Sequence, residues 1–149
     1  MRNMVRIMLT VAIIFGAISL AYAGESGNGI ITKIQGDVSY RHAGGEWMPA
    51  SEGMVLNVSD TIKTADNSTA EVSLDNGKVG LVKVKEKTEM QIDVMKLDLN
   101  SGDKFTYLNL AIGKILIEAQ KLQGNSKFEV RTPTSTTGVR GTIFEVSVD

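Results

Sequence analysis

Side chains able to do chemistry are few and scattered in this chain. A single histidine, His42, stands beside the Ala43-Gly44-Gly45 turn, and cysteine is absent. A protein zinc site draws three or four nitrogen or sulfur donors from the chain, so one imidazole without thiolates leaves such a centre short of ligands. A Ser or Thr nucleophile would have to recruit His42 as its base, and the sequence holds no G-x-S-x-G elbow and no phosphate-cradling G-x-x-x-x-G-K-[ST] loop. His42 therefore reads as a solvated imidazole. Asp60, Asp66, Glu71 and Asp75 lie close in sequence and are the remaining candidates for an acid/base pair or a calcium site. They lack calcium-loop spacing and read as exposed turn acids. The expectation is a protein that is not an enzyme, with no catalytic residue, no metal and no cofactor.

Other residues are better placed to brace or to bind. Thr132 to Asp149 reads TPTSTTGVRGTIFEVSVD. Its second half alternates, with Thr142, Phe144, Val146 and Val148 on one side and Ile143, Glu145, Ser147 and Asp149 on the other, the period of a half-buried strand. Its first half is irregular, because Pro133 lacks an amide hydrogen and holds Thr132 extended. Gly138 and Gly141 at their spacing predict backbone angles or close approaches that a Cβ would forbid. Arg140, among small and apolar neighbours, is expected to turn inward and use its five donors on carbonyls or a carboxylate. A solvated arginine and a ligand contact are the alternatives. Asp60 reads as a turn-fixing acid bonded to its own downstream amides, with a salt bridge to Arg140 as the alternative. Trp47, the sole tryptophan, reads as a partly buried cap over the core with its N–H on a carbonyl, the alternative being a carbohydrate or ligand platform.

The elements that must position these residues are short strands. Ile34, Val38 and Tyr40 share a face, with Gly36 marking a bulge or a close backbone approach. Pro49 keeps the return from Trp47 short or at a sheet edge. From Gly53 to Thr64 the chain is expected to send Val55, and with it Leu56, into the core. Ala70, Val72 and Leu74 alternate with Thr69, Glu71 and Ser73, and Asp75-Asn76-Gly77-Lys78 predicts a hairpin whose two-residue turn is Asn76-Gly77. Val79 to Val84 is then the return strand. The apolar phase changes between Val94 and Met95, which predicts a bulge there. From Phe105 to Leu122 both a helical stripe and alternation are present. Gly113 in the middle of a helix costs about 1 kcal/mol against alanine, so two strands bending at Gly113 are expected. The sum is about ten short, mostly antiparallel strands in a sandwich or β-roll, with no long helix and no fixed-period repeat.

The chain has 149 residues, 42% hydrophobic but only 5% aromatic, sized for one domain with an aliphatic core. Arg2 and Arg6, the apolar run from Ile7 to Leu20 and Ala21-Tyr22-Ala23 read as a signal peptide, residues 1–23, cleaved after Ala23. An uncleaved anchor is the alternative, although the run is shorter than a spanning helix requires. Loss of Arg2 and Arg6 would leave a net charge of about −3, which argues against nucleic acid. Residues 24–28 are expected to be a flexible leader, and residues 29–149 the folded domain. A cysteine-free exported chain must be held by its core alone, in the periplasm or outside the cell. After cleavage no stable membrane insertion is expected.

The stretch TPTSTTGVRGTIFEV resembles the closing signature of the FecR domain family. Gly36-Asp37-Val38, Trp47-Met48-Pro49-Ala50, Gly53, Asp60-Thr61-Ile62-Lys63-Thr64, Ala70, Leu74, Gly77 and Gly113 agree in order. The resemblance covers about Gly29 to Asp149. It implies a β domain whose motif residues, Gly36, Trp47, Pro49, Gly53, Asp60, Thr64, Gly77, Gly113, Thr132, Pro133, Gly138, Arg140, Gly141, Thr142 and Phe144, serve structure. It further implies periplasmic regulators that pass a signal from an outer-membrane receptor to a cytoplasmic sigma factor. Here no cytoplasmic segment precedes the hydrophobic run, so the domain and a binding role carry over while the sigma-factor role does not. The expected partner is an envelope protein or a small ligand. A structural or assembly module of the cell envelope is the alternative.

Overall fold

In the stretch Thr69–Leu74, Ala70, Val72 and Leu74 are buried while Thr69, Glu71 and Ser73 are half exposed, so strict alternation becomes one face in the core and one toward water. A computed structural model describes residues 25–149. The expected signal peptide lies outside the described residues. Thirteen strands follow one another: β1 (Glu25–Ser26), β2 (Gly29–Gln35), β3 (Val38–Arg41), β4 (Met48–Pro49), β5 (Val55–Leu56), β6 (Thr61–Thr64) and β7 (Thr69–Leu74). Then come β8 (Gly80–Val84), β9 (Glu89–Leu97), β10 (Lys104–Ala119), β11 (Lys127–Arg131), β12 (Thr136–Val139) and β13 (Ile143–Val148). The fold is all-β, as the alternation predicts.

Two sheets share one strand. Sheet A runs β4-β3-β6-β9-β10-β11-β12, and sheet B runs β13-β10-β8-β7-β2-β5. Every pairing is antiparallel except β10 with β11. The 16-residue β10 is the common spine. Its first half lies between β9 and β11, and its second half between β8 and β13. The expected pair of strands is thus one strand bent at Gly113, where φ is +95°.

The curl of the sheets closes over a core of Ile31, Leu56, Val72, Leu74, Val82, Ile92, Leu108, Leu110, Ile115, Ile117, Phe128 and Val130, each at most 1% exposed. Each side chain of this size contributes about 1.5–3 kcal/mol by leaving water, which is what an aliphatic chain without disulfides has to draw on.

Several details differ from the sequence reading. Leu56 enters the core at 1% exposure and Val55 stays outside at 45%, because β5 is only two residues long and its register on Gly29 and Ile30 decides the face. The bulge falls at Asp93: Val94 pairs Tyr107 while Ile92 pairs Leu108, so the phase slips just before Val94. The β7–β8 turn is centred on Asp75-Asn76, both with left-handed φ (49° and 51°), and Gly77 N–H closes it on Leu74 O at 3.0 Å. Such paired positive φ values suit the primed hairpin turns. Val79 stays in this loop and the return strand starts at Gly80. Glu25 and Ser26 pair with Leu97 and Lys96 on the free side of β9, so the leader is tied into sheet A.

Candidate functional site

Where the chain turns from one sheet to the other, the motif threonine and glycine meet. Thr88, 1% exposed, sits between them. Its hydroxyl accepts from Lys114 N–H at 2.9 Å and donates to Glu86 O at 2.9 Å. Thr64, also 1% exposed, accepts from Thr88 N–H at 3.1 Å and donates to Lys85 O. A Cβ on Gly113 would stand 2.5 Å from Thr88 Cα and 2.6 Å from Lys87 O, as well as against the Thr88 hydroxyl. Only a residue without a Cβ lets β10 bend this closely over the β8–β9 link. Thr64 and Gly113 are 49 positions apart in the chain and form one corner.

The closing motif divides in two. Thr132 N–H donates to Ser135 O at 2.8 Å and its hydroxyl accepts from Ser135 N–H at 3.0 Å, so Thr132-Pro133-Thr134-Ser135 is the tight turn of the β11–β12 hairpin. A Cβ on Gly141, whose φ is +61°, would meet Lys121 Cα at 2.8 Å. Gly138 pairs with Glu129 in β12 and has open space around it, so the demand for glycine falls on Gly141 alone. Arg140 is exposed, which corrects the inward reading: its neighbour Val139 takes the inward position, and strand alternation turns Arg140 out. Phe144 and Val148 lie half-buried against the core around buried Val146, and Thr142 is exposed with its carbonyl accepting from Ala119 N–H at 3.3 Å.

Asp60 does not meet Arg140. At 3% exposure, its carboxylate accepts from Asn57 N–H at 2.9 Å, an upstream amide, and from His42 Nδ1. A carboxylate only accepts, so the imidazole holds its proton on Nδ1 and leaves Nε2 toward solvent, with the side chain 66% exposed. His42 is therefore oriented as well as solvated. The contact was illegible in the sequence because it depends on register: Arg41 pairs antiparallel with Thr61, which brings the residue after Arg41 against the residue before Thr61. The arrangement supplies a base and its orienting acid. No serine or threonine hydroxyl bonds His42 among the described residues.

Trp47 lies on the outer face of sheet A, 37% exposed, with Arg41 Cζ 4.6 Å and Lys63 Nζ 5.4 Å from its ring centre. It is not among the side chains packed on the core: Met48 pairs with Tyr40, so Trp47 falls just before β4 on the side of Arg41. Pro49 is at that edge, as its missing N–H predicts. Gly36 packs on Ser68, whose hydroxyl accepts from Asp37 N–H at 2.8 Å, and Gly53 N–H reaches Ile31 O at 2.7 Å.

The open features are the sheet ends. β12 pairs only with β11 and β13 only with β10 among the described residues, so each presents an unpaired row of N–H and C=O groups. Between the β11–β12 turn and β13 lies a cleft of about 530 Å³ lined by Ile112, Pro133, Ser135 and Val148. Ile112 and Ile143 are 51% and 70% exposed. Glu145, the charge on β13, is paired with Lys114 at 3.4 Å. No group of three or more His, Cys, Asp or Glu side chains that could hold a metal occurs among the described residues, and no helix among them is long and apolar enough to cross a membrane.

This is a β domain braced at its corners, with β12 and β13 as edge strands among the described residues. The FecR protein family matches residues 60–149, and the chain belongs to that family. Membership points to a signalling or regulatory domain. No curated protein and no solved structure matches the chain.

Proposed function

We propose that the protein is a non-catalytic, exported regulatory domain that recognises a protein partner by adding an extended segment of it to β13. The unprotected edge of β13 carries this reading. Natural edge strands are blunted by lysine, proline or bulges. β13 reads Ile-Phe-Glu-Val-Ser-Val, has none of these, and its one charge is already paired. Main-chain bonding to such an edge gives affinity, and the adjoining cleft with Ile112 and Pro133 gives side-chain selectivity. Export to the periplasm or medium, with cleavage after Ala23, is supported by Arg2, Arg6, the apolar run and the Ala21-Tyr22-Ala23 site.

A photo-crosslinking residue at Ser147, on the outward side of β13, is expected to trap an envelope protein in intact cells, and the same probe at Asn100, in the β9–β10 turn, is not. Adding Ile143→Lys should remove the Ser147 adduct. Equal adducts from both positions, or none from Ser147, would overturn the edge as the recognition site. Amino-terminal sequencing of the exported product should begin at Gly24.

A further inference from the structure

The outer face of sheet A carries a second surface. Register places Arg41, Thr61, Gln91, Asn109 and Arg131 side by side on β3, β6, β9, β10 and β11, with Thr61 itself covered at 3% exposure and the other four reaching the surface. At about 4.8 Å between neighbouring strands the row spans about 19 Å. Its two ends are built alike. Arg41 is held by Glu89 at 3.3 Å and stacks on Trp47 at 4.6 Å. Arg131 is held by Asp93 at 3.0 Å and stacks on Tyr107 at 4.5 Å. Both carboxylates come from β9, to either side of Gln91.

We propose that this row binds an anionic polysaccharide strand lying across the sheet from Trp47 to Tyr107. A guanidinium has five N–H donors in a rigid fork, and one carboxylate with one ring leaves donors free. Fixing both arginines in advance removes side-chain entropy that binding would otherwise lose. Between them stand two carboxamides, which donate and accept, as hydroxyl groups require of a partner. Asn109 is exposed, and Gln91 uses its Nε2–H on Ser59 O at 3.1 Å, leaving its carbonyl. The strands of this face turn five cations outward, Lys63, Lys96 and Lys127 beside the two arginines, against Glu89, Asp93 and Glu129. That excess selects a negative ligand on a chain whose own net charge is −1. A peptide laid on this face would find the backbone groups beneath it already consumed by the ladder, whereas a chain of hydroxyls and carboxylates needs only side chains.

The protein carries its own reporter, because Trp47 is the only tryptophan. Titration with polygalacturonate at physiological salt is expected to change Trp47 fluorescence saturably, with affinity taken from calorimetry. Gln91→Ala with Asn109→Ala, and separately Arg131→Gln, should each weaken it at least tenfold. Ile143→Lys should leave it unchanged, which separates this surface from the β13 edge. Neutral dextran and poly-glutamate should bind at least tenfold more weakly. The proposal is overturned if polygalacturonate gives no saturable change, if poly-glutamate or dextran binds as tightly, or if the folded variants keep full affinity.

Discussion

Replacing Gly113 by alanine attacks the bend on which both sheets depend. The φ of +95° is strained for any L-residue, worth about 1–2 kcal/mol. The new methyl would stand 2.5 Å from Thr88 Cα and 2.6 Å from Lys87 O, and backbone atoms cannot rotate away. Overpacking of this kind adds about 1–3 kcal/mol. Displacing Thr88 also breaks the 2.9 Å bond from Lys114 N–H and leaves that amide without its acceptor, about 1–3 kcal/mol more. Near the middle of these ranges the loss is about 5.5 kcal/mol, a large share of the roughly 5–15 kcal/mol that holds a typical domain together. Gly53→Ala is the control, since Gly53 also has positive φ (+83°) but nothing within 4 Å of a Cβ, and only the strain of about 1–2 kcal/mol applies. Urea unfolding followed by circular dichroism should show Gly113→Ala unfolding several times further below wild type than Gly53→Ala. Equal midpoints for the two variants would refute the close approach as the reason for glycine at 113.

Asp60→Ala should destabilise by about 1–3 kcal/mol in urea, because Asn57 N–H and His42 lose a buried acceptor. Arg140→Gln should change stability by no more than about 0.5 kcal/mol, as exposed substitutions do, and the two should be additive in a double-mutant cycle. Asp98 receives hydrogen bonds from Asn100 and Ser101 amides, which hold its carboxyl below the usual 3.8. A lowered folded-state value means that its contribution is complete above pH 3.8 and is lost as pH falls below it. Asp98→Asn should therefore flatten the fall of stability between neutral pH and that acid range, read from denaturation midpoints across pH.

Alternation was legible where one strand face is buried and the other wet, as at Thr69–Leu74 and Ile143–Val148. The bend at Gly113 was legible too, since a glycine within an alternating run has few other uses. What a single sequence hides is register between distant strands. His42 against Asp60, Leu56 in place of Val55 and Trp47 outside the core all follow from which residues face one another across β3, β5 and β6. Arg140 was misread because its apolar neighbours suggested a buried loop, whereas alternation placed only Val139 inward. The membership of the chain in the FecR family was legible through ordered motif residues, many of which now have a mechanical reason at a corner.

Because β10 belongs to both sheets, its place in the chain governs how the molecule can assemble. Nine strands are made before it and three after, yet neither half can cover its apolar face until residues 104–119 arrive. The nascent chain therefore carries its hydrophobic surface uncovered through most of its synthesis, and native closure is a late event. Such lateness suits the export proposed above, in which the chain would thread a channel before it becomes rigid.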